Sequence, residues 1–197
     1  MIKKIVILGP ESTGKSTLCA ALADHYKTSW VPEYARSYLL EHGTHYQFDE
    51  LLTIAKGQLA LEDSITTALE EKQKAANKSK RSIPLFIDTD MYVMKVWCEF
   101  VFKKCHRYIL EQIVERKYDH YLLCDTDLPW VQDELREYPD QTTRDTLLKM
   151  YTDCMIHQPI GWTLIRGEKN ARLEMAIRAV DAVLSQAPII NDLQSTT

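Results

Sequence analysis

The chain has 197 residues, of which 45% are hydrophobic and 26% charged, and its formal net charge is −4. This length accommodates one sizeable core and is short for two. The acidic balance provides no overall basic field for nucleic acid or an anionic membrane surface, so neither is expected as a partner. No run of about 18 apolar residues occurs, so no membrane-spanning helix is expected.

Five cysteines are scattered along the chain without a C-x-x-C pair. This spacing favours reduced thiols, and hence a cytoplasmic location, over a zinc site or a disulfide framework. At the amino terminus the apolar run Ile5–Leu8 is too short for the core of a signal peptide.

Short apolar runs alternate with helical stretches. Strands are predicted at Ile5–Leu8, Ser29–Val31, Ile83–Ile87, His120–Cys124 and Trp162–Ile165. Helices are predicted at Lys15–Tyr26, Glu33–Glu41, Phe48–Asn77, Tyr92–Lys117, Pro129–Glu137, Thr143–His157 and Ala171–Ser185. Such alternation is typical of a parallel sheet with helices on both faces. No linker divides the chain, so we expect one domain over residues 1–197, with residues 187–197 as a frayed tail.

The end of the long third helix is basic. Residues 72–81 read KQKAANKSKR, with five basic residues in ten. A patch for nucleic acid or a partner is one interpretation. Because the whole chain is acidic, a solvated helix end is the favoured one.

The stretch GPESTGKST at residues 9–17 matches a phosphate-binding loop, since it follows an apolar strand and opens a helix. Its glycines let backbone amides point at phosphate oxygens, and the helix adds its positive end. We therefore expect ATP and Mg²⁺, with Lys15 at the β- and γ-phosphates and the Ser16 hydroxyl on the metal. The predicted nucleotide contacts are Gly9, Glu11, Ser12, Thr13, Gly14, Lys15, Ser16 and Thr17.

The remaining motifs favour a kinase over other proteins with this loop. No D-x-x-G or N-K-x-D of a GTPase is present, and the adjacent Asp-Glu of many motors is replaced by Asp88-Thr-Asp90. The expected fold is a three-layer P-loop NTPase sandwich of the kinase type, with five parallel strands in the order 2-3-1-4-5. Both Asp88 and Asp125 could hold magnesium from a strand end. The predicted strand order favours Asp88, and Asp125 could instead cap a turn.

The sequence VPEYAR at residues 31–36 follows the second strand, at the edge of the sheet where ligands bind in such folds. Glu33 could accept the proton of an acceptor hydroxyl, or could simply begin a helix. Tyr34 and Arg36 are predicted to contact the acceptor or its phosphate. Asp88 and Asp90 remain alternatives to Glu33 as the general base.

A second acceptor wall is predicted after the fourth strand. The Trp130 indole could stack on a planar ring, with about 0.5–2 kcal/mol of added attraction if that ring is cationic, or could be an ordinary core residue. Asp127 and Asp133 could bind ribose hydroxyls or balance a cationic ring.

A polar segment near residues 136–145 is predicted to act as a lid that excludes water during phosphoryl transfer. Arg136 and Arg144 would approach the transferred group, or would make surface ion pairs. Arg166 follows the fifth strand, where the adenine is expected. Glu11 would face the γ-phosphate and acceptor side, where it could hold Arg36 or Arg136.

Taken together, these motifs resemble the ribosylnicotinamide (nicotinamide riboside) kinase domain of NadR-type proteins. The resemblance covers most of the chain and rests on five segments: GPESTGKS, VPEYAR, FIDTD, DTDLPWVQDELR and RGEKNAR. It implies ATP-dependent phosphorylation of the 5′-hydroxyl of nicotinamide riboside to the mononucleotide, for NAD synthesis. It also gives Trp130 a cationic pyridinium ring as its partner.

Other activities remain open. The adenylyltransferase and DNA-binding parts of NadR-type proteins are not expected, because nothing precedes the loop strand here. The alternatives are a kinase for another nucleoside or small alcohol, and a regulatory module that binds ATP without turnover. A homo-oligomer is left open.

Overall fold

The computed structural model describes residues 1–76 and 82–185, and within them five parallel strands form one sheet. The strands are β1 (Ile2–Leu8), β2 (Trp30–Val31), β3 (Ile83–Asp88), β4 (His120–Cys124) and β5 (Trp162–Ile165). Their order is β2-β3-β1-β4-β5, and every pairing is parallel. The predicted α/β sandwich and its 2-3-1-4-5 order are confirmed. The predicted tail at 187–197, and residues 77–81 of the basic segment, lie outside the described residues.

Helices connect the strands and cover the sheet. They are α1 (Lys15–Tyr26), α2 (Tyr34–His42), α3 (Phe48–Ala75), α4 (Met91–Phe102), α5 (Arg107–Glu115), α6 (Gln141–His157) and α7 (Lys169–Ser185). The prediction of one helix over Tyr92–Lys117 is wrong, because α4 ends at Phe102 and the next residue, Lys103, has the left-handed conformation with φ 56°. After this break, α5 starts anew at Arg107.

The prediction of a helix over Pro129–Glu137 is also wrong. This segment is irregular, because its backbone amides bond to side chains of the phosphate loop. The Val131 amide donates to Ser12 Oγ at 3.0 Å, and the Glu137 amide donates to the Glu11 carboxylate at 3.0 Å. The next helix starts only after Asp140, whose carboxylate accepts the Thr143 amide at 2.7 Å.

The sheet is buried because its strands carry apolar residues on both faces. Ile5 and Ile7 of β1 pack in the cluster that includes residues of α1 and α7, whereas Val6 and Leu8 pack in the cluster on the other face. All four side chains are fully buried. Since all strands run in the same direction, their carboxyl ends meet at one edge of the sheet. The phosphate loop follows β1 at this edge, and Asp88 is the last residue of β3.

Candidate active site

The phosphate loop has a backbone that its glycines make possible. Gly9 has φ +138°, and a Cβ atom there would lie 2.7 Å from the Cys124 carbonyl oxygen, so a side chain does not fit. Gly14 precedes α1 in the left-handed conformation with φ 77°. The Thr13 hydroxyl and the Lys15 ammonium both donate to the Pro10 carbonyl, at 2.7 and 2.9 Å. The loop therefore closes on itself, with Lys15 folded over it.

Two buried arginines hold the outside of this loop. Arg144 donates to the Ser12 carbonyl at 3.4 Å, and Arg172 donates to the Thr13 carbonyl at 3.1 Å. Because the carbonyl and amide of one peptide unit point in opposite directions, outward carbonyls turn the Thr13 and Gly14 amides toward the inside of the loop. Arg144 was predicted to reach the transferred phosphoryl group, and this role stays a prediction.

Arg172 was missed by the sequence reasoning. It also donates to the Gly167 carbonyl at 2.7 Å, to the Asp125 carbonyl at 3.0 Å and to the Asp127 carboxylate. Its position in the RGEKNAR segment was the available signal, but only Arg166 of that segment was singled out. Arg172 therefore links the phosphate loop to the ends of β4 and β5.

Asp88 lies at the end of β3 with its side chain fully buried. Neither carboxylate oxygen has a well-aligned hydrogen-bond donor among the described residues, and the Ser16 side chain lies beside it. Burial, and then the nearby Glu33 charge, raise the pKa of Asp88 to about 6. Oxygen ligands of this kind, with several waters, are what Mg²⁺ requires, so Asp88 and Ser16 fit a magnesium ion.

Asp125, the alternative metal ligand, has other partners. One of its oxygens accepts the Thr126 amide at 2.7 Å, and the other pairs with Arg166 Nη2 at 3.3 Å. Asp125 therefore caps the turn after β4, as one interpretation of the sequence held. Arg166 lies at the end of β5 with 59% of its side chain exposed, and its contact with adenine stays a prediction.

A cavity of about 230 Å³ extends from the phosphate loop. One wall consists of the loop itself, from Gly9 to Thr17, and Glu33 and Arg36 line the cavity from the β2–α2 connection. Five aromatic residues also line the cavity and form what we call its aromatic wall: Tyr46, Trp97, Phe100, Tyr138 and Tyr151. The cavity thus joins a phosphate site to a surface suited to a planar ring.

None of these five rings was predicted from the sequence, and Trp97 is the tryptophan among them. Its Nε1 donates to the Tyr46 hydroxyl at 2.8 Å, and the Tyr46 hydroxyl donates to the Glu137 carboxylate at 3.2 Å. Val93, Trp97 and Phe100 all line the cavity, and they are spaced by four and three residues on α4. That helical spacing after the Asp88 strand end was the signal that could have indicated Trp97.

Glu33 lines the cavity, and its side chain does not cap α2. It occupies the position before α2, but its carboxylate makes no capping hydrogen bond. The Arg36 guanidinium pairs with both Asp133 carboxylate oxygens at 3.1 Å, so these two predicted acceptor residues bind each other. Tyr34 packs against Gly57 of α3, where a Cβ atom would lie 2.1 Å from the tyrosine ring.

Five of the seven predicted acceptor residues lie outside the lining of the cavity, namely Tyr34 and Asp133, together with Trp130, Asp90 and Asp127. Trp130 has its ring centroid 5.9 Å from the Arg144 guanidinium carbon. Asp90 is buried and caps α4 by accepting the Tyr92 and Val93 amides at 3.0 and 3.3 Å. Asp127 accepts the Gly167 amide as well as Arg172. Their roles in acceptor binding stay predictions.

The predicted lid is joined to the phosphate loop through Glu11. The Glu11 carboxylate accepts the backbone amides of Glu137, at 3.0 Å, and of Tyr138. Its partner is thus the lid backbone instead of Arg36 or Arg136. Burial raises the pKa of Glu11, although both amides act to lower it. Arg136 lines the cavity and donates to the Val131 carbonyl and, at 3.4 Å, to Ser12 Oγ.

A comparison with protein families shows the family of the chain. The model of an AAA domain family matches residues 4–163, which include the phosphate loop, Asp88 and the aromatic wall. The chain belongs to this AAA domain family. As an AAA domain, it is expected to bind a nucleotide at the loop between β1 and α1.

This AAA domain is similar to a curated protein, the trifunctional NAD biosynthesis/regulator protein NadR of Escherichia coli K12. The identity is 28% over 171 residues, which are 85% of this chain and 39% of that protein. NadR of Salmonella typhimurium is 28% identical over 169 residues, which are 84% and 38% of the two chains. The AAA domain chain therefore spans about two fifths of these relatives. The resemblance to NadR-type proteins is confirmed.

Solved structures share the fold of this AAA domain. A crystal structure of NadR protein in complex with NR matches with a TM-score of 0.72 at 19% identity, over 94% of this chain and 50% of that chain. Thymidylate kinase from Ehrlichia chaffeensis matches with a TM-score of 0.62 at 12% identity, over 91% and 98%. These identities establish the fold alone. Within residues 1–76 and 82–185, no helix has both the length and the apolar character to cross a membrane.

Proposed function

We propose that the chain is an ATP-dependent kinase that phosphorylates the 5′-hydroxyl of nicotinamide riboside. The observation that carries this proposal is one cavity that joins the phosphate loop to an aromatic wall, with the uncommitted Glu33 carboxylate on its lining. Nicotinamide riboside needs these features: a ring surface for a planar cation, and a carboxylate near its primary hydroxyl. Trp97, rather than Trp130, is the ring that we assign to the acceptor.

In the proposed reaction the acceptor 5′-oxygen forms a bond to the γ-phosphorus of ATP, and the bond to the β–γ bridging oxygen breaks to release ADP. The hydroxyl proton passes to Glu33. We favour Glu33 over Asp90, because Asp90 is buried under α4 and caps it. Lys15 stabilises charge on the phosphates, and the lid, with Arg136 and Tyr138, excludes water from the cavity.

Asp88 and Ser16 would hold Mg²⁺, which when bound neutralises part of the phosphate charge. Asp88 is suited to this role because its buried oxygens lack aligned donors, and a bound cation would relieve that cost. Among the described residues no cluster of three or more histidine, cysteine or carboxylate side chains could bind a metal by itself. This fits Mg²⁺, which is held by one or two carboxylates together with phosphates and water.

The relatives support the acceptor and the donor. NadR has been crystallised in complex with NR, and also in complex with NAD and AMP-PNP, an ATP analogue. The proposed partners are thus two small molecules, nicotinamide riboside and ATP, with neither nucleic acid nor membrane. A cytoplasmic location, one domain over the whole chain and the open question of a homo-oligomer stay predictions.

The test is to incubate the purified chain with ATP, Mg²⁺ and nicotinamide riboside, and to quantify the products by mass spectrometry. We expect nicotinamide mononucleotide and ADP in a 1:1 ratio, with little ADP formed when the acceptor is omitted. Transfer to other nucleosides alone would replace the proposal by a kinase of different specificity. Tight ATP binding without transfer to any nucleoside would indicate a regulatory module.

A further inference from the structure

Gln58 of α3 is 1% exposed and lies outside the lining of the cavity, and its side chain makes three hydrogen bonds. Its Oε1 accepts the Tyr34 amide at 2.7 Å. Its Nε2 donates to the Pro32 carbonyl at 3.4 Å and to the Asp88 carbonyl at 3.3 Å. These partners fix the orientation of the amide group, since only its oxygen can accept an N–H and only its nitrogen can donate to carbonyls.

Two of these hydrogen bonds hold the backbone on either side of Glu33. The Pro32 carbonyl belongs to the peptide unit before Glu33, and the Tyr34 amide belongs to the unit after it. β2 is two residues long, and Pro32 has no amide hydrogen to donate, so this connection has few other anchors. Because the Glu33 carboxylate makes no capping bond, these peptide units determine where its side chain begins.

The third hydrogen bond holds the end of β3. The Asp88 carbonyl belongs to the peptide unit that precedes Thr89, and Thr89 has φ +78°. A positive φ is strained for a β-branched residue and persists only where the surroundings impose it. The Thr89 amide donates to the Ile7 carbonyl at 3.3 Å, so Gln58 and β1 hold the two sides of this unit.

We propose that Gln58 is a positioning residue for phosphoryl transfer, which sets the relative placement of Glu33 and Asp88 through their backbones. The inference rests on the proposed function. Gln58 does not line the cavity, so it acts through these two carboxylates and not by contact with a substrate. Since a misplacement of about 1 Å can cost about 100-fold in rate, loss of the amide should lower kcat. The KM for ATP should change much less than kcat, because Gln58 has no hydrogen bond to the phosphate loop and contacts only the backbone of Asp88.

The experiment compares Gln58→Met, which keeps the length of the side chain and removes its hydrogen bonds, with Gln73→Met. Gln73 is a second buried glutamine of α3, 8% exposed, and at 15 residues along the helix it lies about 22 Å away. We expect kcat to fall about 10- to 100-fold in Gln58→Met, with the KM for ATP within twofold. Gln73→Met should keep the kcat of the wild type.

Amide hydrogen exchange of the full chain gives a readout that does not depend on turnover. A peptide that covers Glu33 to Tyr38 should exchange faster in Gln58→Met than in the wild type, and should be unchanged in Gln73→Met. If Gln58→Met does not fold, Gln58→Glu replaces it, since it keeps an acceptor for Tyr34 but lacks the two donors.

Several outcomes would overturn the inference. They are a folded Gln58 variant with wild-type kcat, equal losses of kcat in the Gln58 and Gln73 variants, and unchanged exchange at Glu33 to Tyr38. Failure of the proposed function has a different signature, because the wild type itself would then not transfer phosphate to nicotinamide riboside. In that case the exchange comparison still decides whether Gln58 holds this backbone.

Discussion

Replacing Trp97 tests whether the aromatic wall binds the acceptor ring. A cation over an indole gains about 0.5–1 kcal/mol at an exposed site and about 2 kcal/mol when desolvated. Trp97 is half-buried and lines the cavity, so its contribution should fall within this range. At 1.4 kcal/mol for each factor of ten, Trp97→Leu should weaken acceptor binding by about 2- to 30-fold.

The assay is isothermal titration of nicotinamide riboside into the wild type, Trp97→Leu, Trp97→Phe and Trp130→Leu. Trp97→Phe keeps a ring and should lose less affinity than the leucine variant. Trp130→Leu is the matched control, since Trp130 lies outside the lining of the cavity next to Arg144. Weaker binding in Trp130→Leu, together with unchanged binding in Trp97→Leu, would refute the assignment and restore the sequence-based prediction for Trp130.

Three further predictions concern the loop and its supports. Lys15→Ala should lower kcat about 10²- to 10³-fold without changing the circular dichroism spectrum, and a smaller loss in kcat would contradict its role at the phosphates. Arg172→Gln removes charge-assisted hydrogen bonds worth about 1.5–3 kcal/mol each, so it should raise the KM for ATP about tenfold or more. Arg178 is exposed on α7, and Arg178→Gln should leave this KM unchanged. Equal KM values for ATP in the two variants would contradict the role of Arg172 in holding the loop. The raised pKa of Glu11 means that the folded state binds a proton more tightly than the unfolded state. The stability of the wild type relative to Glu11→Gln should therefore increase as the pH falls from 7 toward 4.5. A difference in Tm between the two proteins that does not change with pH would refute this.

The sheet and the phosphate loop could be predicted because their signals are local. Each strand is a short apolar run followed by glycine, proline or a polar residue, and the loop is specified by Gly9, Gly14 and Lys15 within a single segment. Parallel strands bring their carboxyl ends to one edge, so the place of Asp88 followed from the strand order. These inferences needed no knowledge of contacts between distant residues.

The acceptor wall could not be predicted in this way, because it depends on tertiary contacts. Pro129 and the residues after it read as a helix, but amides of this segment bond to Ser12 and Glu11, which lie about 120 positions earlier in the chain. This pairing turns the segment into a loop that carries Tyr138 into the cavity. The role of Glu11 was likewise open, since its partners are backbone amides, and no residue type in the sequence marks them.

The central claim is that the cavity selects nicotinamide riboside as the phosphate acceptor. The most direct measurement is kcat/KM for this nucleoside beside adenosine, uridine, cytidine and thymidine, with ATP and Mg²⁺ saturating. We expect nicotinamide riboside to exceed each of the others by at least about tenfold, because only its ring carries a positive charge that the aromatic wall can stabilise. A value for any other nucleoside that equals or exceeds that of nicotinamide riboside would contradict the claim.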